Sequence, residues 1–384
     1  MKILNSKYSS FFIFGSICIV LFIFSFALPL SAEEDMPDEY KNFTDSVPPE
    51  ITDKLPDGFF SDSINDVSDS AGQMSKIEFL LSELLSAAGT GIQKCIPTLA
   101  LICGIIIIGA LCRTVGNSLT GAPNRIVGMC TEICVFSSVC AVSIRSLETV
   151  STYFENLRSV MLSFLSLSGV LYAIGGNFSA AASSTAGLTV TLSICEFICT
   201  YTVIPIFCIC LCMALITSLE PNAGVLGLCS SIKKWYNTLL SFLMMIITTA
   251  LSAGTFVAAR ADNAAMRGAK FVAGNFIPVS GGAVSSSLGT LASSVELIRT
   301  SVGTIGVIVI ILLILPVILE LIFMRMVFGF CSFIAGLSGC SGEKKLLDEL
   351  SSLYGYLEGV CILCTVVFVV FLAIMAFCAS AVGR

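Results

Sequence analysis

The stretch SVGTIGVIVIILLILPVILELIF, residues 301–323, carries a single charged residue. At 1.5 Å per residue such a run crosses the roughly 30 Å hydrocarbon core of a bilayer. Runs of the same character recur along the chain, at 95–112, 126–144, 159–178, 188–219, 236–259 and 360–382. They dominate the composition. The chain of 384 residues is 56% hydrophobic and 12% charged, with a mean hydropathy of +0.96, whereas soluble domains carry about 25% charged residues. A transmembrane β-barrel would alternate apolar and polar residues over strands of roughly 10 residues, and these runs do not alternate. The predicted fold class is all-α: a polytopic helical membrane protein with a short, partly disordered extracytoplasmic N-terminal segment.

The first 32 residues read as a signal peptide, with Lys2 and Lys7 ahead of an apolar stretch at 11–30 and a small residue, Ala32, before the acidic EED. The apolar stretch is long for a signal, so an uncleaved anchor is the alternative. Residues 33–94 form an acidic extracytoplasmic segment. Between 33 and 93 there are 14 acidic and 3 basic residues, against 26 and 20 in the whole chain. That balance excludes nucleic acid as a partner. It leaves either a surface for a basic partner or a solvated spacer. Its first part, rich in Pro and Asp, reads as loop. Ile77, Leu80, Leu81, Leu84, Leu85 and Ala88 then make one stripe of an amphipathic helix, with Ser75 and Glu78 at capping-box spacing.

Residues 95–384 form the polytopic domain, with six or seven crossings. A charged connection, 145–158, separates two of them. The run 188–219 is too long for one straight crossing and must tilt, project or kink near Pro205. Lys233, Lys234, Trp235 and Tyr236 together read as a membrane-interface cluster, and 326–337 as a re-entrant turn or a continuation of the preceding helix. A cleaved signal places 113–125 in the cytoplasm, in keeping with the positive-inside rule. The chain has 18 cysteines and no histidine. The cysteines lie mostly within apolar runs, where Cys acts as a small hydrophobe, and no metal site or cofactor is expected.

Two features are candidates for function. The first is a broken Gly/Ser-rich element at 268–300, where GNFIPVSGG interrupts regular structure at Gly274, Asn275, Pro278, Gly281 and Gly282. Irregular backbone at membrane depth is tolerated only when buried in protein or facing an aqueous cavity, and small residues allow close helix packing. The element therefore lines a pathway, packs tightly, or lies on the surface as a loop. The second is a set of carboxylates inside apparent spans, Glu132, Glu196 and Glu320. Such groups face the bundle interior, a partner or water. Glu196 is the first interior candidate, Glu132 the next, and Glu320 falls near the end of its span.

No P-loop is present, and without histidine there is no Ser-His or zinc-His chemistry. The chain is not expected to be an enzyme. RGAKFVAGNFIPVSGGAVSSSLGTL, residues 267–291, resembles the signature stretch of the stage III sporulation protein AE family, and the run at 301–323 is also similar to it. The resemblance implies a role in endospore formation. It places the protein in the mother-cell membrane surrounding the forespore, as a membrane subunit of a secretion-like channel complex that joins the two cells. The permease-like core is the role its multi-pass region would fill. The implied partners are a secretion-type ATPase, ring-forming and small membrane subunits, and the lipid bilayer. The alternative reading is an autonomous secondary transporter, hinted at by a second Gly/Ser/Ala-rich stretch at 175–187 that would pair with the broken element.

Overall fold

The computed structural model describes residues 38–61, 66, 69–70, 72–73, 77–117, 123–174, 178–219, 225–276 and 281–380. The expected signal peptide and Pro278 lie outside these residues. The described residues are 96% helical and contain no strand. Two short helices, α1 (Asp38–Asp45) and α2 (Pro49–Thr52), and a 3-10 turn (Asp57–Phe60) precede the long ones. These are α3 (Ile77–Asn117), α4 (Pro123–Ile174), α5 (Phe178–Ile198), α6 (Ile204–Leu219), α7 (Val225–Phe276), α8 (Gly281–Leu337) and α9 (Ser341–Ser380). A five-residue π-turn, Cys199–Val203, joins α5 to α6. Among the described residues, six helical stretches are long and apolar enough to cross a membrane.

Helix α9 is the hub. Two-thirds of its apolar window (67%) is buried, against 19% of that of α7. The stripe Leu346, Leu347, Leu350, Leu353, Tyr354 and Leu357 is fully buried, at the i, i+3, i+4 spacing of a core-facing helix. Helix α8 folds back antiparallel on α9 through a tight turn at Gly339, whose φ of 73° suits only glycine without strain. Gly306 lets the two approach, since a Cβ there would lie 3.0 Å from Phe164 and 3.1 Å from Leu372.

Several expected boundaries are absent. Residues 145–158 are not a connection but the middle of α4, which runs unbroken for 52 residues, about 78 Å. The reason is visible in the segment: it has no Gly or Pro, and Ser146, Val150, Tyr153 and Leu157 keep a buried helical stripe going beneath the charges. Likewise the amphipathic stripe from Ile77 and the run at 95–112 are one helix, α3, with Pro97 inside it. Residues 326–337 continue α8. The kink expected near Pro205 takes the form of the π-turn, because Pro205 has no N–H to bond the carbonyl of residue 201 and the helix widens just before it.

Residues 38–61 are not the loop their composition suggested. Tyr40, Phe43 and Phe59 pack ring against ring, and Phe43 meets Phe164 of α4 edge-on at 5.8 Å. The Tyr40 hydroxyl donates to the Phe59 carbonyl at 2.9 Å. Val47, Ile51 and Leu55 are buried beside them. The aromatic cluster gives a polar segment enough buried apolar area to hold one conformation.

The start of α5 is held from outside. Buried Asp262, on α7, accepts from the Ser179 N–H at 3.3 Å and the Ala180 N–H at 2.7 Å. These are two of the donors that a helix start leaves unpaired, and the carboxylate also meets the positive end of the helix dipole. Asp262→Ala is expected to destabilise the fold by about 1–2 kcal/mol, read as a lower midpoint in SDS-titration unfolding. Asp262→Asn should recover most of the loss.

Candidate functional site: buried charges along the last helix

The N-terminal half of α9, SGEKKLLDELSSLYGYLEG, alternates its leucine stripe with acids. In the fold each acid meets a donor from one of three other helices, α3, α7 or α8. Arg113 of α3 pairs with Glu343, which has no exposed surface. Ser332 of α8 donates to Asp348 at 2.6 Å. Lys233 of α7 reaches Glu349 at 2.7 Å and Ser352 at 2.9 Å. Arg325 of α8 reaches Glu358 at 3.1 Å. Its guanidinium lies over Gly355, where a Cβ would be 3.1 Å from the guanidinium carbon. Helix α4 adds hydroxyl contacts, Ser146 with Tyr354 at 3.0 Å and Tyr153 with Thr365 at 2.5 Å.

Such pairs are costly to bury and expensive to break. Their effect is geometric: each charge finds its counterion at one rotation and one height of α9, so together they set the register of the bundle. Gly355 illustrates the coupling of sequence to site, because a side chain there would occupy the place of the Arg325 guanidinium.

Glu132 sits at one end of this line, buried where α4, α6 and α9 meet. Its carboxylate accepts from Ser218 at 3.2 Å and lies against Gly342 at the start of α9. Negative charge at a helix N-terminus is favourable. Glu320 is also interior: Thr149 of α4 donates to it at 3.5 Å, and Lys94 of α3 lies 3.5 Å away.

The order expected of the carboxylates is reversed. Glu196 is nearly half exposed and pairs with the equally exposed Arg158 on the flank of α4 and α5, so it lies outside the core. Lys233, expected at a membrane interface, is buried in its ion pair, while Trp235 beside it is exposed. Gly274 and Asn275 lie in the last turn of α7, and Gly281 and Gly282 open α8. What surrounds these four lies outside the described residues. The helical backbone runs through Gly274 and Asn275 on one side and through Gly281 and Gly282 on the other.

Arg113, Arg325, Glu343, Glu349 and Glu358 were not singled out by sequence reasoning, and Lys233 was read only as part of an interface cluster. The signal was present in α9, whose apolar i, i+3, i+4 pattern runs straight through the charged segment and marks it as core helix. Nothing in the sequence says which cation each acid meets.

The model of the stage III sporulation protein AE family matches residues 60–381, which include every charged pair of this line. No curated protein and no solved structure gives a match.

Proposed function

The chain belongs to the stage III sporulation protein AE family, and on that premise we propose that it is a non-catalytic, permease-like subunit of a secretion-like channel between mother cell and forespore. In this reading it resides in the mother-cell membrane around the forespore. It works beside a secretion-type ATPase and ring-forming and small membrane subunits. The family match carries the sporulation role. The charged line supports the scaffold reading: Arg113, Lys233 and Arg325 tie three helices to α9. Rocking transporters move one half of the bundle against the other, and ties of this kind, converging on one helix from three sides, oppose such motion.

The test is made in a spore-forming host. Deletion of the gene is expected to stop sporulation after engulfment, and the tagged chain is expected to co-purify with a secretion-type ATPase from sporulating cells. Normal spore yield on deletion would sink the sporulation role. Substrate uptake by the purified chain alone in lipid vesicles would replace the subunit reading with that of an autonomous transporter.

A further inference from the structure

The outward face of α4 changes character along its length. Ile126, Ile133 and Ile144 are exposed near one end, and Leu162 is exposed further on. Between them the exposed positions are Arg145, Glu148, Thr152, Glu155, Arg158 and Ser159; all but Arg158, which pairs with Glu196, are spaced i, i+3, i+7, i+10 and i+14, which is one face of a helix. Arg145, Glu148 and Glu155 make no ion pair among the described residues.

Elsewhere at the same height the surface is apolar. Tyr153 of α4 bonds Thr365 of α9, and Tyr236 of α7 meets Tyr356 of α9 edge-on at 5.6 Å. Helices α7 and α9 run parallel, since Lys233 meets Glu349 and Tyr236 meets Tyr356. The level of Thr365 therefore falls near Met245 on α7. There Phe242 and Met245 are 59% and 60% exposed, a surface suited to lipid. A row of unpaired charges at the depth of such a surface cannot also face hydrocarbon.

Next to the row lies a cleft of about 180 Å³ between α4 and α5. Its rim carries Ser151, Glu155, Arg158 and Glu196, and its walls include Leu192, Ile204 and Phe368. An apolar floor inside a charged rim is the anatomy of a protein–protein contact. A water path would need a polar floor.

We propose that the middle third of α4, with the cleft beside it, is the docking surface for a membrane helix of another subunit. That helix seats an apolar side chain in the cleft and sets charged side chains against Arg145, Glu148 and Glu155. The inference rests on the reading of the chain as part of a larger membrane assembly, and it says which flank meets the neighbour.

The test uses the full chain in sporulating cells, with photoreactive p-benzoylphenylalanine in place of Thr152 or, separately, of Phe242. Thr152 is expected to yield a protein adduct that digestion maps to a membrane helix of a different protein, and Phe242 is expected to yield none. The exposed substitution Glu155→Lys should abolish the Thr152 adduct without lowering the amount of chain in the membrane. Equal adducts from both flanks, an adduct only to a second copy or to a soluble domain, or no adduct at Thr152 would overturn the proposal. An adduct that maps to a membrane helix of a protein with no part in sporulation keeps the surface and removes the channel reading. No adduct, in cells whose spores still depend on the gene, does the reverse.

Discussion

Arg113→Ala is expected to lower stability by about 3–5 kcal/mol, the usual cost of stripping one partner from a buried ion pair. The effect is large because of what remains. Glu343 has no exposed surface, and its second carboxylate oxygen already lacks a hydrogen-bond partner among the described residues. Without the guanidinium, the carboxylate would have to stay charged in a medium that solvates it poorly, or take up a proton. Arg113 itself is only partly buried, with 21% of its side chain exposed, so most of the loss originates on the acid. The double variant Arg113→Met with Glu343→Met should recover most of the deficit, since replacing both members with apolar groups of similar size is often neutral. SDS-titration unfolding of the four chains, arranged as a double-mutant cycle, reads this directly. A single variant as stable as the parent would mean that the pair does not join α3 to α9.

Gly342→Val is expected to have an effect at least as large, for a steric reason. A Cβ at this position overlaps the Glu132 carboxylate and lies 3.2 Å from the Ser218 carbonyl oxygen. The carboxylate can rotate aside, but it then abandons the Ser218 hydroxyl and the start of α9. The backbone oxygen cannot move without shifting α6. Overpacking a tight site costs about 1–3 kcal/mol, and an unpaired buried carboxylate adds to that. The expected result is chain that inserts but unfolds at much lower SDS and accumulates poorly. Gly342→Val combined with Glu132→Ala, which vacates the overlapped volume, should be more stable than Gly342→Val alone. If the combination is no better, the close approach of α4 to α9 is wrong.

These sites show where sequence reasoning reached and where it stopped. The run at 301–323 was recognisable as a crossing because length and apolarity alone bear on that question. The continuity of α4 was not, because the charges of 145–158 mark a boundary only if their helix lacks a buried side. Tyr153 and Leu157 supply one, but their neighbours are known only from the fold. The carboxylates are the sharper case. Glu132 and Glu196 look alike in sequence, each within an apolar run. One faces Ser218 and Gly342 in the interior and the other faces Arg158 at the surface, because rotation about the helix axis decides exposure.

The sequence by itself determined that this chain is a bundle of apolar helices and, through residues 267–291, which family it joins. Both follow from local properties: the length of a run, its polarity and a short signature. Only the tertiary structure decided that α9 is the central helix and that three basic residues from α3, α7 and α8 serve its acids. Pairing between helices depends on their relative rotation and height. Those are set by the packing of whole surfaces, among residues far apart in the chain, so no single stretch encodes them.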